Sequence, residues 1–127
     1  MLPNESANLP VIHVFSGGPG SEREVSRKSA ENLRVAAASA GYPVRTVSVT
    51  PDLRWDFGDA VFDEREGASR IRDCGGIAFP AIHGEYGEDG AVQSVWESAG
   101  VAFVGSPSES MRLTIDKQRC GEFLASR

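Results

Sequence analysis

The chain has 127 residues, 40% hydrophobic and 24% charged, with a net charge of −5 at neutral pH. That length closes one core without room for a second domain, and the acidic balance argues against a nucleic-acid surface and against acidic partners. Cys74 and Cys120 stand alone, outside CxxC spacing and without a neighbouring His, so neither a zinc site nor a disulfide framework is expected and both read as buried or free thiols.

Met1 to Pro10 lacks the basic and apolar regions of a signal peptide, and no apolar run nears the roughly 20 residues of a membrane span. A cytoplasmic protein is expected. Val11 to Phe15 is short, β-branched and apolar apart from His13, which suits a strand buried on both faces and makes His13 a core or edge histidine rather than a ligand. A breaker-rich turn, Ser16 to Ser21, leads into a segment whose small and apolar positions at Val25, Ser29, Leu33, Ala36, Ala37 and Ala40 have helical spacing, ended by Gly41. Pro43 to Val49 resumes a β-like pattern.

Between residues 50 and 75, Pro51, Gly58 and Gly67 interrupt any period, and one short helix near Glu64 to Arg72 is the most the pattern supports. Trp55, Phe57 and Phe62 are expected to pack this excursion against the sheet. Gly76 to Ile82 gives a third strand, with Pro80 removing a backbone donor near its end. Ala91 to Gly100 reads as a helix, Val101 to Val104 as a short fourth strand, and Ser110 to Arg127 as a final helix. Strands alternating with helices make an α/β fold with an open parallel sheet, and ligands bind such sheets beyond the carboxyl ends of the strands where the strand order reverses.

With the first and third strands adjacent, that point lies between the loop at residues 16–24 and the segment His83-Gly84-Glu85-Tyr86-Gly87-Glu88-Asp89-Gly90. The second loop packs one imidazole, three carboxylates and three glycines into eight residues, so the backbone can approach a ligand closely amid acid, base and hydrogen-bonding groups. A dinucleotide fingerprint at Gly18-x-Gly20 fits poorly: Arg23 stands where a third glycine is required, and the second strand ends in Val49-Thr50 without a ribose-binding acid. Glu24, three residues after Ser21, completes a capping box. Glu22 has no such duty and is free to meet a cation such as the ammonium of a small ligand.

Three ordered segments resemble the D-alanine–D-alanine ligases of the ATP-grasp superfamily: Gly17-Gly18 with Ser21 to Ser26, Phe79 to Gly90, and Gly105-Ser106 with Asp116-Lys117. The resemblance implies a three-layer, Rossmann-like open parallel sheet of about four strands with helices on both faces, the pre-ATP-grasp domain, over residues 10–127 behind a tail at 1–9. It also implies that Glu22 binds the ammonium of the first D-alanine, Val25 contacts its methyl group, His83 sits by that substrate and its developing acyl phosphate, and Lys117 approaches the nucleotide phosphates. The reaction implied uses ATP and Mg2+ to activate one D-alanine for attack by a second, in peptidoglycan precursor synthesis, by a homodimer assembled through this domain.

The family continues beyond the point matching Arg127 into central and C-terminal ATP-grasp domains that hold nucleotide and metal. The chain alone is therefore expected to be an inactive fragment with no cofactor bound and no metal ligands of its own. An ATP-grasp ligase for another amino acid or D-hydroxy acid, and a non-catalytic interaction module of the same fold, are the competing readings. Glu22 and His83 together weigh against the module, which needs neither.

Overall fold

A computed structural model describes residues 9–20 and 23–115. The elements run β1 (Ile12–Gly17), α1 (Arg23–Ser39), β2 (Val44–Val49), β3 (Trp55–Asp56), β4 (Val61–Phe62), α2 (Glu64–Asp73), β5 (Ile77–Pro80), α3 (Ala91–Ala99), β6 (Ala102–Phe103) and α4 (Ser108–Ile115). They form one sheet in the order β4-β3-β2-β1-β5-β6. The central strand β1 lies parallel to β2, with Ile12 opposite Val44, and parallel to β5, with Ile12 opposite Ile77. Strand order thus reverses between β1 and β5, as the sequence predicts.

Alternation along β1 builds the three layers. Ile12 and Val14 point to the α1 side and pack with Ala30 and Ala81. Phe15 points to the other face, among Val47, Val49, Trp55, Ile71, Val92 and Trp96. There Phe15 meets both tryptophans edge-on, at 4.8 Å from Trp55 and 4.9 Å from Trp96. Such contacts add about 0.5–1.5 kcal/mol each beyond the area they bury.

The four parallel strands match expectation, but the sheet is six-stranded and mixed, because residues 55–62 fold back as the antiparallel pair β3–β4. Each of these strands has two residues, too few for any alternation to show. Trp55 and Phe57 are buried there, and the Arg70 guanidinium lies over the rings of Phe57 and Phe62, so the three aromatic residues do pack the excursion onto the sheet.

Helix boundaries follow their local chemistry. Asp63 caps α2 by accepting from the Glu66 N–H at 2.8 Å, and Gly100 closes α3 at φ 73°. Pro80 ends β5, after which the Ala81 N–H still reaches Phe15 O at 2.8 Å. The final helix spans Ser108–Ile115, and the rest of the predicted 110–127 segment, with Cys120, lies outside the described residues. Cys74 is an exposed free thiol. Helix α1 is rotated somewhat from the face its apolar spacing suggests: Leu33 packs on the core as expected, but Ser26 and Ala30 are the buried residues, while Val25 is 55% exposed. An alanine-rich helix offers little hydrophobic contrast, and its rotation is set by the bonds Ser26 makes, described below.

His13 lies in the core, 2% exposed, edge-on to Phe57, with Nδ1 unpartnered among the described residues. Burial lowers its pKa below 6.5, and the positive charges of Arg45 and Arg70 add to the effect. The folded chain therefore keeps His13 neutral where the unfolded chain takes up a proton, so this contribution to stability is complete above the unfolded value and is lost as pH falls below it. The depressed carboxylates of Glu31, Asp52 and Asp59 act only at lower pH, beneath their ordinary values of 4.5, 3.8 and 3.8. The melting temperature is expected to fall between about pH 7.5 and 5.5, and His13→Leu to flatten the profile in that window; an equally steep profile in the variant would remove His13 as its origin.

Candidate functional site

The two glycine-rich loops meet beyond the carboxyl ends of β1 and β5. Ser26, on the inward face of α1 and fully buried, accepts from the Gly17 N–H at 3.0 Å and donates to Ala81 O at 2.6 Å. One hydroxyl thereby ties the end of β1 to the segment leaving β5. Arg23 holds the first loop from outside, its guanidinium donating to Gly18 O at 2.6 Å and to Val49 O at 3.2 Å. Gly18 lies so near the second loop that a Cβ there would come 3.0 Å from Ile82 Cγ2.

His83, about one-third exposed, stands at the junction. Its Nε2 lies 2.8 Å from Ser29 Oγ on α1, and its Nδ1 lies 3.6 Å from a Glu88 carboxylate oxygen. The other carboxylates divide their roles. Asp89 accepts from the N–H groups of Tyr86 at 3.1 Å and Ala91 at 3.0 Å, so it staples the loop to the start of α3, while Glu85 is exposed. Gly87 is required for a close approach of the loop to itself, since a Cβ there would fall 2.2 Å from Ile82 O. The buried Gln93 side chain donates to Gly87 O at 2.9 Å.

Tyr86 is the least expected member. It has φ 80°, a strained value for a residue with a side chain, yet it is buried at 3% exposure. Its hydroxyl donates to Glu64 on α2 at 2.5 Å and accepts from the Trp55 indole N–H at 3.0 Å. Burial first, and the bond to Glu64 second, push the phenol pKa well above its ordinary 10. Tyr86 thus stays neutral and anchors the loop to the β3–β4 excursion.

Of the site residues expected from sequence, His83 and Val25 are described, whereas Glu22 and Lys117 lie outside the described residues. Val25 stands exposed in the first turn of α1, and the next turn of the same helix carries Ser29 to His83. Ser29 and Glu88, the two groups that flank the imidazole, entered the sequence reading only as a spacing position of the helix and one of the loop's three carboxylates, without a part beside His83. Serine in mid-helix reads as filler, and nothing in the local pattern announces its partner 54 residues away. No cluster of three His, Cys, Asp or Glu able to hold a metal occurs among the described residues. A groove of about 610 Å3 runs between α2 and α3, lined by Glu64, Arg65, Ser69, Arg72, Ser94 and Ser98 among others, and none of its walls comes from the two loops.

The arrangement defines a class: a Rossmann-like α/β domain that presents two glycine-rich loops to one crevice at the strand-order switch point. Comparison with known proteins gives the family. Residues 59–106 match the model of the D-ala D-ala ligase N-terminus. The D-alanine–D-alanine ligase B of Bradyrhizobium diazoefficiens is 34% identical over 84% of this chain and 36% of its own length, and the D-alanine–D-alanine ligase of Desulforudis audaxviator is 36% identical over 90% and 33%. Among solved structures, the Bacillus anthracis D-alanine–D-alanine ligase complexed with ATP superposes with a TM-score of 0.72 at 26% identity, covering 92% of this chain and 36% of that one. These matches support the chain as an N-terminal fragment of a D-alanine–D-alanine ligase, and it spans about a third of the length of the curated relatives it matches.

Removing the Tyr86 hydroxyl leaves a buried indole N–H and a carboxylate without their partner. Tyr86→Phe is expected to lower stability by about 1–3 kcal/mol, read from the urea midpoint, while Glu85→Gln on the exposed side of the loop stays within about 0.5 kcal/mol. Equal midpoints for the two variants would show that the network does not hold the loop.

Proposed function

We propose that this domain forms the first-substrate lobe of an ATP-dependent ligase that joins two D-alanines for peptidoglycan precursor synthesis. One observation supports the reading: α1, which begins at Arg23, is bonded through Ser29 to His83 of the second loop, so the described parts of both sequence signatures border a single crevice. Glu22 would neutralise the substrate ammonium through charge-assisted hydrogen bonds, and the exposed Val25 is available to the methyl group. His83 would stand by the carboxylate as it becomes an acyl phosphate, forming that side of the crevice. Positioning of this kind removes the freedom that the uncatalysed encounter must give up.

ATP, with Mg2+, would supply the phosphoryl group that activates that carboxylate. We assign their binding chiefly to central and C-terminal ATP-grasp domains of the whole polypeptide, with Lys117 reaching the phosphates from this one. The same reading makes the enzyme a cytoplasmic homodimer assembled through this domain. No described helix is long and apolar enough to cross a membrane.

Calorimetric titration of the 127-residue chain with Mg-ATP is expected to show no binding tighter than about millimolar and no dipeptide synthesis. Micromolar affinity would overturn the division of labour between domains and point to a self-contained nucleotide site at residues 17–20.

In the polypeptide that joins this domain to ATP-grasp domains, Glu22→Gln keeps the shape and removes the charge. The kcat/KM for the first D-alanine is expected to fall at least 10- to 100-fold, roughly 1.4–2.7 kcal/mol, with little change in the KM for ATP. Glu24→Gln is the control, because Glu24 is a surface residue in the first turn of α1 that pairs with Arg27 at 3.3 Å. Equal losses at both positions would reduce Glu22 to a helix-starting carboxylate.

A further inference from the structure

His83 has two ring nitrogens, and its neighbours treat them differently. Nδ1 faces the carboxylate of Glu88 at 3.6 Å, a group that only accepts, so the proton of the neutral ring belongs on Nδ1. Nε2 then carries a lone pair, and the group 2.8 Å away is the Ser29 hydroxyl, which can donate to it. A serine within a helix commonly turns its hydroxyl back to its own helix backbone, whereas Ser29 spans 54 residues of sequence to reach this ring.

The geometry points to Ser29 as a positioning residue that fixes the tautomer and orientation of His83 by donating its hydroxyl proton to Nε2. This inference rests on the ligase reading for its catalytic consequence but not for the contact itself. The contact is also the direct bond between α1 and the 83–90 loop, so it sets the distance between whatever the first loop grips and the imidazole. Ser29 is not thereby a nucleophile. It lies in the second turn of α1, where backbone N–H groups are engaged along the helix and none is left to stabilise an oxyanion.

The chain contains two histidines, so the side-chain 15N spectrum of the labelled 127-residue protein reports His83 directly, with the buried His13 as internal reference for folding. At about pH 8 the wild-type chain is expected to show His83 as a single Nδ1–H tautomer. Ser29→Ala should give averaged shifts of interconverting tautomers with His13 unmoved, and Ser29→Thr, which keeps the hydroxyl, should restore the wild-type pattern. In the polypeptide carrying the ATP-grasp domains, kcat/KM for the first D-alanine should fall about tenfold in Ser29→Ala and recover in Ser29→Thr, with the KM for ATP unchanged. An unaltered His83 spectrum in Ser29→Ala overturns the inference, as does an altered spectrum with unaltered kcat/KM. A wild-type polypeptide that makes no dipeptide at all defeats the ligase reading instead, and the spectra of the three chains still decide whether Ser29 holds His83.

Discussion

A single buried hydroxyl joins the parts of this domain that must stay in register. Ser26 takes a proton from the Gly17 amide and gives its own to Ala81 O, bridging β1 and the segment that leaves β5 while also setting the rotation of α1. In so buried a place, leaving either backbone group unpaired would cost about 1–3 kcal/mol, so the helix has one rotation at which the sheet ends are satisfied. That rotation places Val25 toward solvent and Ser29 toward His83. A packing requirement three residues away therefore decides which side chains reach the crevice.

The second loop is held from three directions, none of which involves the crevice itself. Asp89 ties it to the first turn of α3, Gln93 to the body of that helix, and Tyr86 to α2 and β3 through Glu64 and Trp55. The strained backbone of Tyr86 persists because its ring is buried and its hydroxyl is satisfied twice. His83 and Glu88 are left as the polar groups of the loop that face each other near solvent. Rigid support beneath and free chemistry above is what a site needs when its task is to orient a small substrate.

Legibility in the sequence followed the length and contrast of each element. β1 could be read because Val11 to Phe15 is a short apolar run, rich in β-branched residues and broken only by His13, and α1 and α3 because glycine stands at or just past their ends. The β3–β4 pair could not, since two-residue strands leave no period and owe their existence to Trp55 and Phe62 packing on a sheet formed elsewhere in the chain. The buried face of α1 was misread because alanine gives no contrast, and because the decisive residue, Ser26, is polar. At the site, the His83 loop announced itself through its glycines and acids, while Ser29 and Glu88 acquire meaning only from a fold that brings residues 29 and 83 together. Tyr86 was legible as one more residue of a polar loop, not as its anchor.

The outermost strands, β4 at one margin of the sheet and β6 at the other, are each two residues long. Beside β4, Asp59 pairs with Arg70 and approaches Arg45, placing charge along that margin. A ladder so short offers an incoming chain almost no backbone groups to pair with, and among the described residues the longer stretch of strand edge without a strand partner is that of β2 at Val44–Val47, since β3 pairs only with Ser48 and Val49. Strand addition at the two outermost strands is thereby disfavoured, and an assembly made through helices and loops would leave the hydrogen-bonded interior of the sheet private to each copy.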